Sequence, residues 1–502
     1  MGKKKAGARA KKGATATASA APAPAPAPRI RGFWDKNVRP SGEAPSPRGG
    51  HSATLVGSCL YVFGGGDRSP CTFDDLHVLE IDAGKPLLWR RVDKPPADKG
   101  GEWPEARTDH AAAAAAGVMW VMGGQDPVGR AEAGCDSQYL PFDVWTLAPA
   151  VKAEMAPEAP APAAAAAEAG QEPAAESATP QWQLRVCDGA PPCPRGSHGL
   201  VLAGDGTTLA VVGGVGDEGP VLDLHLLDTE TLVWSQLLLA PATAPVAREM
   251  HACFCLPGRV KVDKALAAEE DINAGETGSE LVVMGGRSAR GEILAEMEIL
   301  NLGAAILLES AAEPLPDDAP DLAEMVEAGT AGPLEDPAVS EAEPEPEPSQ
   351  QQPKGKGGAA QRAPALSGGK RMKAVPMPKA LCAQAVAWWP AAGAATSAAP
   401  LPLSFGGTDG VTGADGSVWS LRATPDGNGK GRAEWQWDVV NGLGGAAPTG
   451  RFAHTFTALP QPDTAASAEG SGGAGRPWPT ALVFGGSTFE RELNDLHLLW
   501  TA

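Results

Sequence analysis

Leu60-Tyr61-Val62-Phe63-Gly64-Gly65 decides the fold, because a short apolar run closed by two glycines returns five more times along the chain. The other copies are Met119-Trp120-Val121-Met122-Gly123-Gly124, Leu209-Ala210-Val211-Val212-Gly213-Gly214, Leu281-Val282-Val283-Met284-Gly285-Gly286, Leu403-Ser404-Phe405-Gly406-Gly407 and Ala481-Leu482-Val483-Phe484-Gly485-Gly486. Ahead of five copies stands Arg-x-x-His: Arg48/His51, Arg107/His110, Arg195/His198, Arg248/His251 and Arg451/His454. Behind the glycines comes a second apolar run, such as Asp75-Leu76-His77-Val78-Leu79, Asp223-Leu224-His225-Leu226-Leu227 or Asp495-Leu496-His497-Leu498-Leu499, usually followed by a Trp. The chain is a tandem repeat.

The apolar runs are too short for helices and are bounded by glycine, so they read as strands. Paired glycines at a strand end predict a turn through positive φ, close against a neighbouring backbone. A small antiparallel sheet with two apolar faces cannot bury both alone. Stacking such sheets around an axis buries each against the next, which predicts a propeller.

These motifs together resemble the kelch family, whose repeat period is about 50 residues. The resemblance implies an all-β, six-bladed kelch β-propeller with four-stranded blades over residues 30–502. It also implies that strand A follows Arg-x-x-His and lines the channel, strand B ends in Gly-Gly, strand C carries Asp-Leu-x-x-Leu, and strand D carries Trp. Two units depart from the pattern: the fifth has Lys379-Ala380-Leu381-Cys382 where Arg-x-x-His is expected, and the fourth lacks its Trp, for which Leu366 is the substitute. Blade cores fall near 48–92, 107–186, 195–238, 248–302 with an outer strand near 363–367, 379–439, and 451–500 with 33–38. Trp34, Trp234 and Trp437 each precede an Arg of the motif by 14 residues. Trp34 therefore belongs to a D strand that comes before the first A strand, and residues 33–38 are expected to complete blade six.

The formal net charge of −20 argues against general or specific nucleic-acid binding. No apolar run is long enough to span a membrane. The eight cysteines form no C-x-x-C pair and read as reduced thiols of a cytoplasmic protein. Residues 1–29 read as a disordered basic Ala/Pro tail, with an organelle transit peptide as the alternative. Such a tail could meet an acidic surface such as a microtubule. Low-complexity inserts are expected at 148–181, 257–279, 303–378, 390–402 and 460–479, all on AB or CD connections and so on one side of the disc. The BC and DA connections occupy the other side and stay short, apart from 125–141.

All eight histidines and five equivalent arginines lie in register with the repeat, so they read as architecture. Tyr61 and Tyr139 are the only tyrosines, too few for copper-oxidase chemistry of kelch-like propellers, and no catalytic motif stands in a suitable context. No enzyme, cofactor or metal is expected. The family resemblance implies partner binding through the BC and DA loops, with mixed-charge candidates Asp67, Arg68, Gln125, Asp126, Asp217, Glu218, Arg287, Arg290, Asp409, Ser487 and Thr488. The expected function is a non-catalytic scaffold gripping a protein or peptide. Alternatives are a ubiquitin-ligase substrate receptor, a cytoskeletal or ciliary scaffold and, more remotely, a metal-dependent propeller enzyme. Ligase receptors of the family carry a further recruiting region such as BTB or F-box, which makes that alternative the weaker one.

Overall fold

The computed structural model describes residues 31–69, 71–81, 85–96, 101–149, 179–237, 246–257, 279–302, 375–389, 401–424, 434–459 and 479–501. The basic tail and most of the five inserts lie outside these residues, as does the outer strand expected near 363–367 with Leu366.

Six blades form, each an antiparallel meander. The A strands are Ser52–Val56, Ala111–Ala115, Gly199–Leu202, Ala252–Pro257, Ala385–Trp389 and Thr455–Ala458. The B strands that carry the apolar runs are Cys59–Phe63, Val118–Met122, Thr208–Gly216, Ser279–Met284, Leu401–Phe405 and Ala481–Phe484. The C strands are Leu76–Glu80, Val144–Ala148, Gly219–Asp228, Glu296–Asn301, Val418–Thr424 and Leu496–Thr501. Consecutive A strands adjoin one another around the axis, and the sixth adjoins the first.

The ring closes as the Trp spacing predicts. Strand Gly32–Asp35 pairs antiparallel with Leu496–Thr501, setting Trp34 opposite Leu499. The other D-strand tryptophans, Trp89, Trp182, Trp234 and Trp437, oppose Leu79, Leu147, Leu227 and Leu421 in the same register. The apolar core divides into six clusters, one at each seam between consecutive blades. Five hold the D-strand Trp of the following blade. Among the described residues no Trp lies at the seam between blades three and four, and Leu302 is buried there instead.

All twelve glycines of the six pairs have positive φ. A Cβ on Gly64 would lie 2.5 Å from the Arg107 carbonyl oxygen of the next blade, and one on Gly406 would lie 2.5 Å from that of Arg451. The pair thus does two things at once: it turns the chain and lets neighbouring blades touch through backbone. Each motif arginine is fully buried and bonds the same frame. The guanidinium of Arg48 donates to Asp75 Oδ1 and Oδ2 at 2.6 and 2.9 Å, to the Gly64 carbonyl at 2.9 Å and to that of Ser46 at 3.0 Å. Arg107, Arg195 and Arg451 repeat this with Asp143, Asp223 and Asp495. Burial alone would push the Asp75 carboxyl up, yet Arg48 and His77 hold it well below the usual carboxylate range.

Several expectations require correction. In blade five the motif sits two residues later than read: Leu381 occupies the arginine position and Gln384 the histidine position. The Leu381 carbonyl takes the place beside Gly285 that Arg107 takes beside Gly64. Lys379 instead reaches Asp415 from upstream, at 3.3 Å. Blade four gains its outer rung from Val375–Pro376 on Glu296 and Met297, so those residues belong to the blade and not to the insert assigned to 303–378. Leu401 and Pro402, read as the end of an insert because of the Ala-Pro composition, open the B strand of blade five opposite Trp389 and Trp388. Likewise Ala148 and Gln181 pair with each other as strand residues.

Three blades carry a fifth strand that the repeat did not announce. Ser41–Gly42, Asp188–Gly189 and Leu443–Gly445 run parallel to the D strands at Trp89, Trp234 and Trp34. At each of Gly42, Gly189 and Gly445 φ is positive, and a Cβ would fall 2.0, 2.2 or 2.1 Å from the carbonyl oxygen of that Trp. Each of the three stands six residues before the motif arginine, a signal present in the sequence.

Candidate functional site

The residue just before each motif histidine, or before Gln384, marks the axis. Gly50, Asp109, Ser197, Met250, Ala383 and Ala453 all have φ between 51° and 65°. Their amides and carbonyls close a ring: Asp109 N–H donates to Gly50 O, Ser197 to Asp109, Met250 to Ser197, Ala383 to Met250, Ala453 to Ala383 and Gly50 to Ala453, at 2.7–3.1 Å. Left-handed backbone at a non-glycine residue costs about 1 kcal/mol or more. Five such residues are held because each amide gains a partner on the adjacent blade.

This backbone ring divides the channel. Below it lies a small space of about 140 Å³, bordered by His51, His110, His198, His251, Gln384 and His454. Above it, on the BC and DA face, lies a cavity of about 500 Å³. Its lining comes from five blades, with none from blade three. It includes Asp67, Asp109, Val128, Met250, Arg287, Ile293, Phe452, Ser487, Phe489 and Glu492. Phe452 and Phe489 pack at 5.6 Å between ring centroids, and Phe489 is half exposed. Val128 reaches the cavity from a short helix, Pro127–Glu132, in the 125–141 loop that the sequence marked as long.

Of the candidate residues, Asp67, Arg287 and Ser487 line the cavity. The other eight do not, and most are engaged in building the loops. Arg68 donates to Glu492 Oε1 at 2.9 Å and to the Thr488 carbonyl at 2.6 Å, tying blade one to blade six. Gln125 donates to Asp109 Oδ2 at 2.8 Å. Asp126 caps the short helix through Gly129 N–H. Asp217 accepts from Ser137 Oγ at 3.0 Å. Asp409 accepts from the amides of Val411 and Thr412, and the Thr488 hydroxyl accepts from those of Glu490 and Arg491. Glu218 lies on the turn that follows Asp217. The Arg290 amide donates to Ser288 Oγ at 3.3 Å. Sequence reading missed Asp109, Phe452, Phe489 and Glu492. The first two lie within Arg-x-x-His itself, whose variable positions gave no sign of facing a cavity.

The electrostatics of the mouth are uneven. Arg287 is the sole Lys or Arg among the lining residues, and its guanidinium is committed to Glu249 Oε1 at 2.8 and 2.6 Å. Burial pushes the Asp109 carboxyl up; the hydrogen bond from Gln125 opposes this, and the nearby Glu249 charge adds to it. The channel histidines are held neutral. Burial, aided by the adjacent motif arginine, lowers His51, His198 and His251 to about 3 and holds His110 and His454 well below their ordinary value. Among the described residues no group of three or more His, Cys, Asp or Glu is placed to hold a metal ion. Tyr61 is buried in the B strand of blade one and Tyr139 in the BC loop of blade two.

Residues 31–171, which hold strand Gly32–Asp35, blade one and the A, B and C strands of blade two, match the family model described as KLHDC2/KLHL20/DRC7 Kelch-repeats domain. Acyl-CoA-binding domain-containing protein 5 of Arabidopsis thaliana is 27% identical over 212 residues, 42% of this chain and 26% of that protein. Adagio-like protein 1 of Oryza sativa subsp. japonica is 29% identical over 230 residues, 45% of this chain and 29% of the relative. Rab9 effector protein with kelch motifs of Gallus gallus is 34% identical over 96 residues, 18% and 24% of the two chains. The matched stretch thus takes up less than a third of each of these relatives. With the glycine pairs, buried arginines and D-strand tryptophans each in their repeated places, this chain is a kelch-repeat β-propeller.

Proposed function

We propose that the chain is a non-catalytic interaction module or scaffold that binds a protein or peptide through the face where the BC and DA loops meet. The observation that carries this reading is the 500 Å³ cavity at the channel mouth, concave, walled by the half-exposed Phe489 and by partly buried aromatic and aliphatic side chains, and rimmed by a few polar groups. Recognition sites combine features of that kind, with apolar anchors inside and polar groups setting orientation. A relative that is by name an effector with kelch motifs agrees with it. Among the described residues no disulfide joins any of the cysteines, which favours a reducing compartment such as the cytoplasm.

Affinity capture with the full chain tests the proposal when run beside a cavity-filling variant, Val128→Trp, and a variant of the opposite face, Glu230→Ala, in the exposed turn between strands Gly219–Asp228 and Val233–Leu237. A partner retained by wild type and Glu230→Ala but lost with Val128→Trp is the expected result. Partners lost only with Glu230→Ala would place recognition elsewhere and overturn it.

A further inference from the structure

The mouth cavity is short of positive charge. Its lining holds the carboxylates Asp67, Asp109 and Glu492 against one cation, Arg287. That cation is neutralised by Glu249, and Glu492 is neutralised by Arg68. Two carboxylates are left without a cationic partner among the described residues. Asp67 Oδ1 accepts from the Ser69 amide and hydroxyl, and Asp109 Oδ2 accepts from Gln125. Asp109 stands on the axial backbone ring, at the floor of the cavity. Met250 stands on the same ring, and the walls above are apolar, with Phe452, Phe489, Ile293 and Val128.

Resting on the interaction-module reading above, we propose that this cavity receives an arginine or lysine side chain of a peptide partner, its charged head on Asp109 and Asp67 and its stem along the apolar wall. The charge balance selects the chemistry: an acidic side chain or a terminal carboxylate would enter among carboxylates and meet one guanidinium already bonded twice. A basic side chain suits both halves of the site. Its methylenes cover apolar surface while its head keeps polar partners, and an aromatic face adds attraction for a cation. The partly desolvated Asp109 carboxylate gains the positive neighbour it lacks.

The experiment selects phage-displayed random heptapeptides on the immobilised full chain, then measures each selected peptide against variants. Asp109→Asn keeps size and suits left-handed backbone, so an unchanged melting temperature certifies its fold; Asp67→Asn serves as the second charge probe and Val128→Trp as the cavity block. The expected result is that Val128→Trp abolishes binding of most selected peptides, that these are enriched in Arg and Lys over the naive library, and that Asp109→Asn weakens them about tenfold, with rising salt weakening wild-type binding. Cavity-dependent peptides that are neutral or acidic, or that bind Asp109→Asn unchanged, would overturn the basic-side-chain proposal while leaving the interaction face standing. Recovery of no peptide that Val128→Trp blocks would overturn both.

Discussion

Each buried motif histidine leans toward the blade before it, and the residue it meets there varies. His110 Nε2 lies 2.8 Å from Ser52 Oγ, and His51 Nε2 lies 3.3 Å from Thr455 Oγ1. The equivalent positions facing His198, His251 and His454 are Ala111, Gly199 and Ala385, which offer no hydroxyl. Neutral imidazoles in this setting tie stability to pH. In the folded protein the histidines titrate far below their unfolded value of about 6.5, so between those limits the unfolded chain binds more protons and stability falls as pH falls. The salt-bridged Asp75, Asp223 and Asp495 are depressed carboxyls, and their contribution is lost only below about pH 4. The window from pH 6.5 down to about 4 therefore belongs mainly to the histidines. His198→Gln copies what blade five already has at Gln384. It should reduce the stability difference between pH 7 and pH 5, measured by urea unfolding, by about 2 kcal/mol; an unchanged difference would show that His198 is protonated in the folded state. The arginines and histidines could be recognised as architecture from their register alone. The axial backbone ring could not, because Gly50, Asp109, Ser197, Met250, Ala383 and Ala453 share a conformation without sharing any side-chain chemistry.

At the scale of the element, the strands were legible wherever glycine pairs and alternating apolar residues bounded them, and they were misread where proline masked the ladder. Pro376 lies on an outer rung, where a missing N–H is harmless, and Pro402 opens a strand whose remaining residues keep the apolar run. The short parallel strands at Gly42, Gly189 and Gly445 escaped for another reason. They are two or three residues long and carry no apolar pattern; their mark is a single glycine spaced six residues from the arginine. That glycine has a definite role, since the Trp backbone fills the volume a side chain would need. Gly189→Ala should cost about 1–3 kcal/mol by forcing both the left-handed backbone and the Trp234 carbonyl apart, whereas Gly57→Ala, also at positive φ but with open space around it, should show only the backbone part of that cost. Chemical denaturation of the two variants side by side checks this; equal losses would mean that the contact with Trp234 contributes nothing.

The whole molecule is a ring joined by one seam within a blade, where the first described strand of the chain enters the sheet built by the last. Trp34 is buried among Phe405, Phe456, Val483 and Leu499, packing against blades five and six together. The legibility of this closure came from the spacing of Trp34 to Arg48, which repeats at Trp234 and Trp437. The cavity at the mouth was less legible, because its floor and aromatic wall come from motif positions whose identities differ from blade to blade. Without strand Gly32–Asp35 the outer edge of Leu496–Thr501 and one apolar seam would face water, and loss of a buried Trp alone costs about 3–5 kcal/mol. The most direct measurement compares the melting temperatures of chains lacking residues 1–28 and residues 1–40. The closed ring predicts that the shorter deletion melts like the full chain and that the longer one melts well below it. Equal melting temperatures for the two would contradict the closure, and with it the assignment of blades and faces.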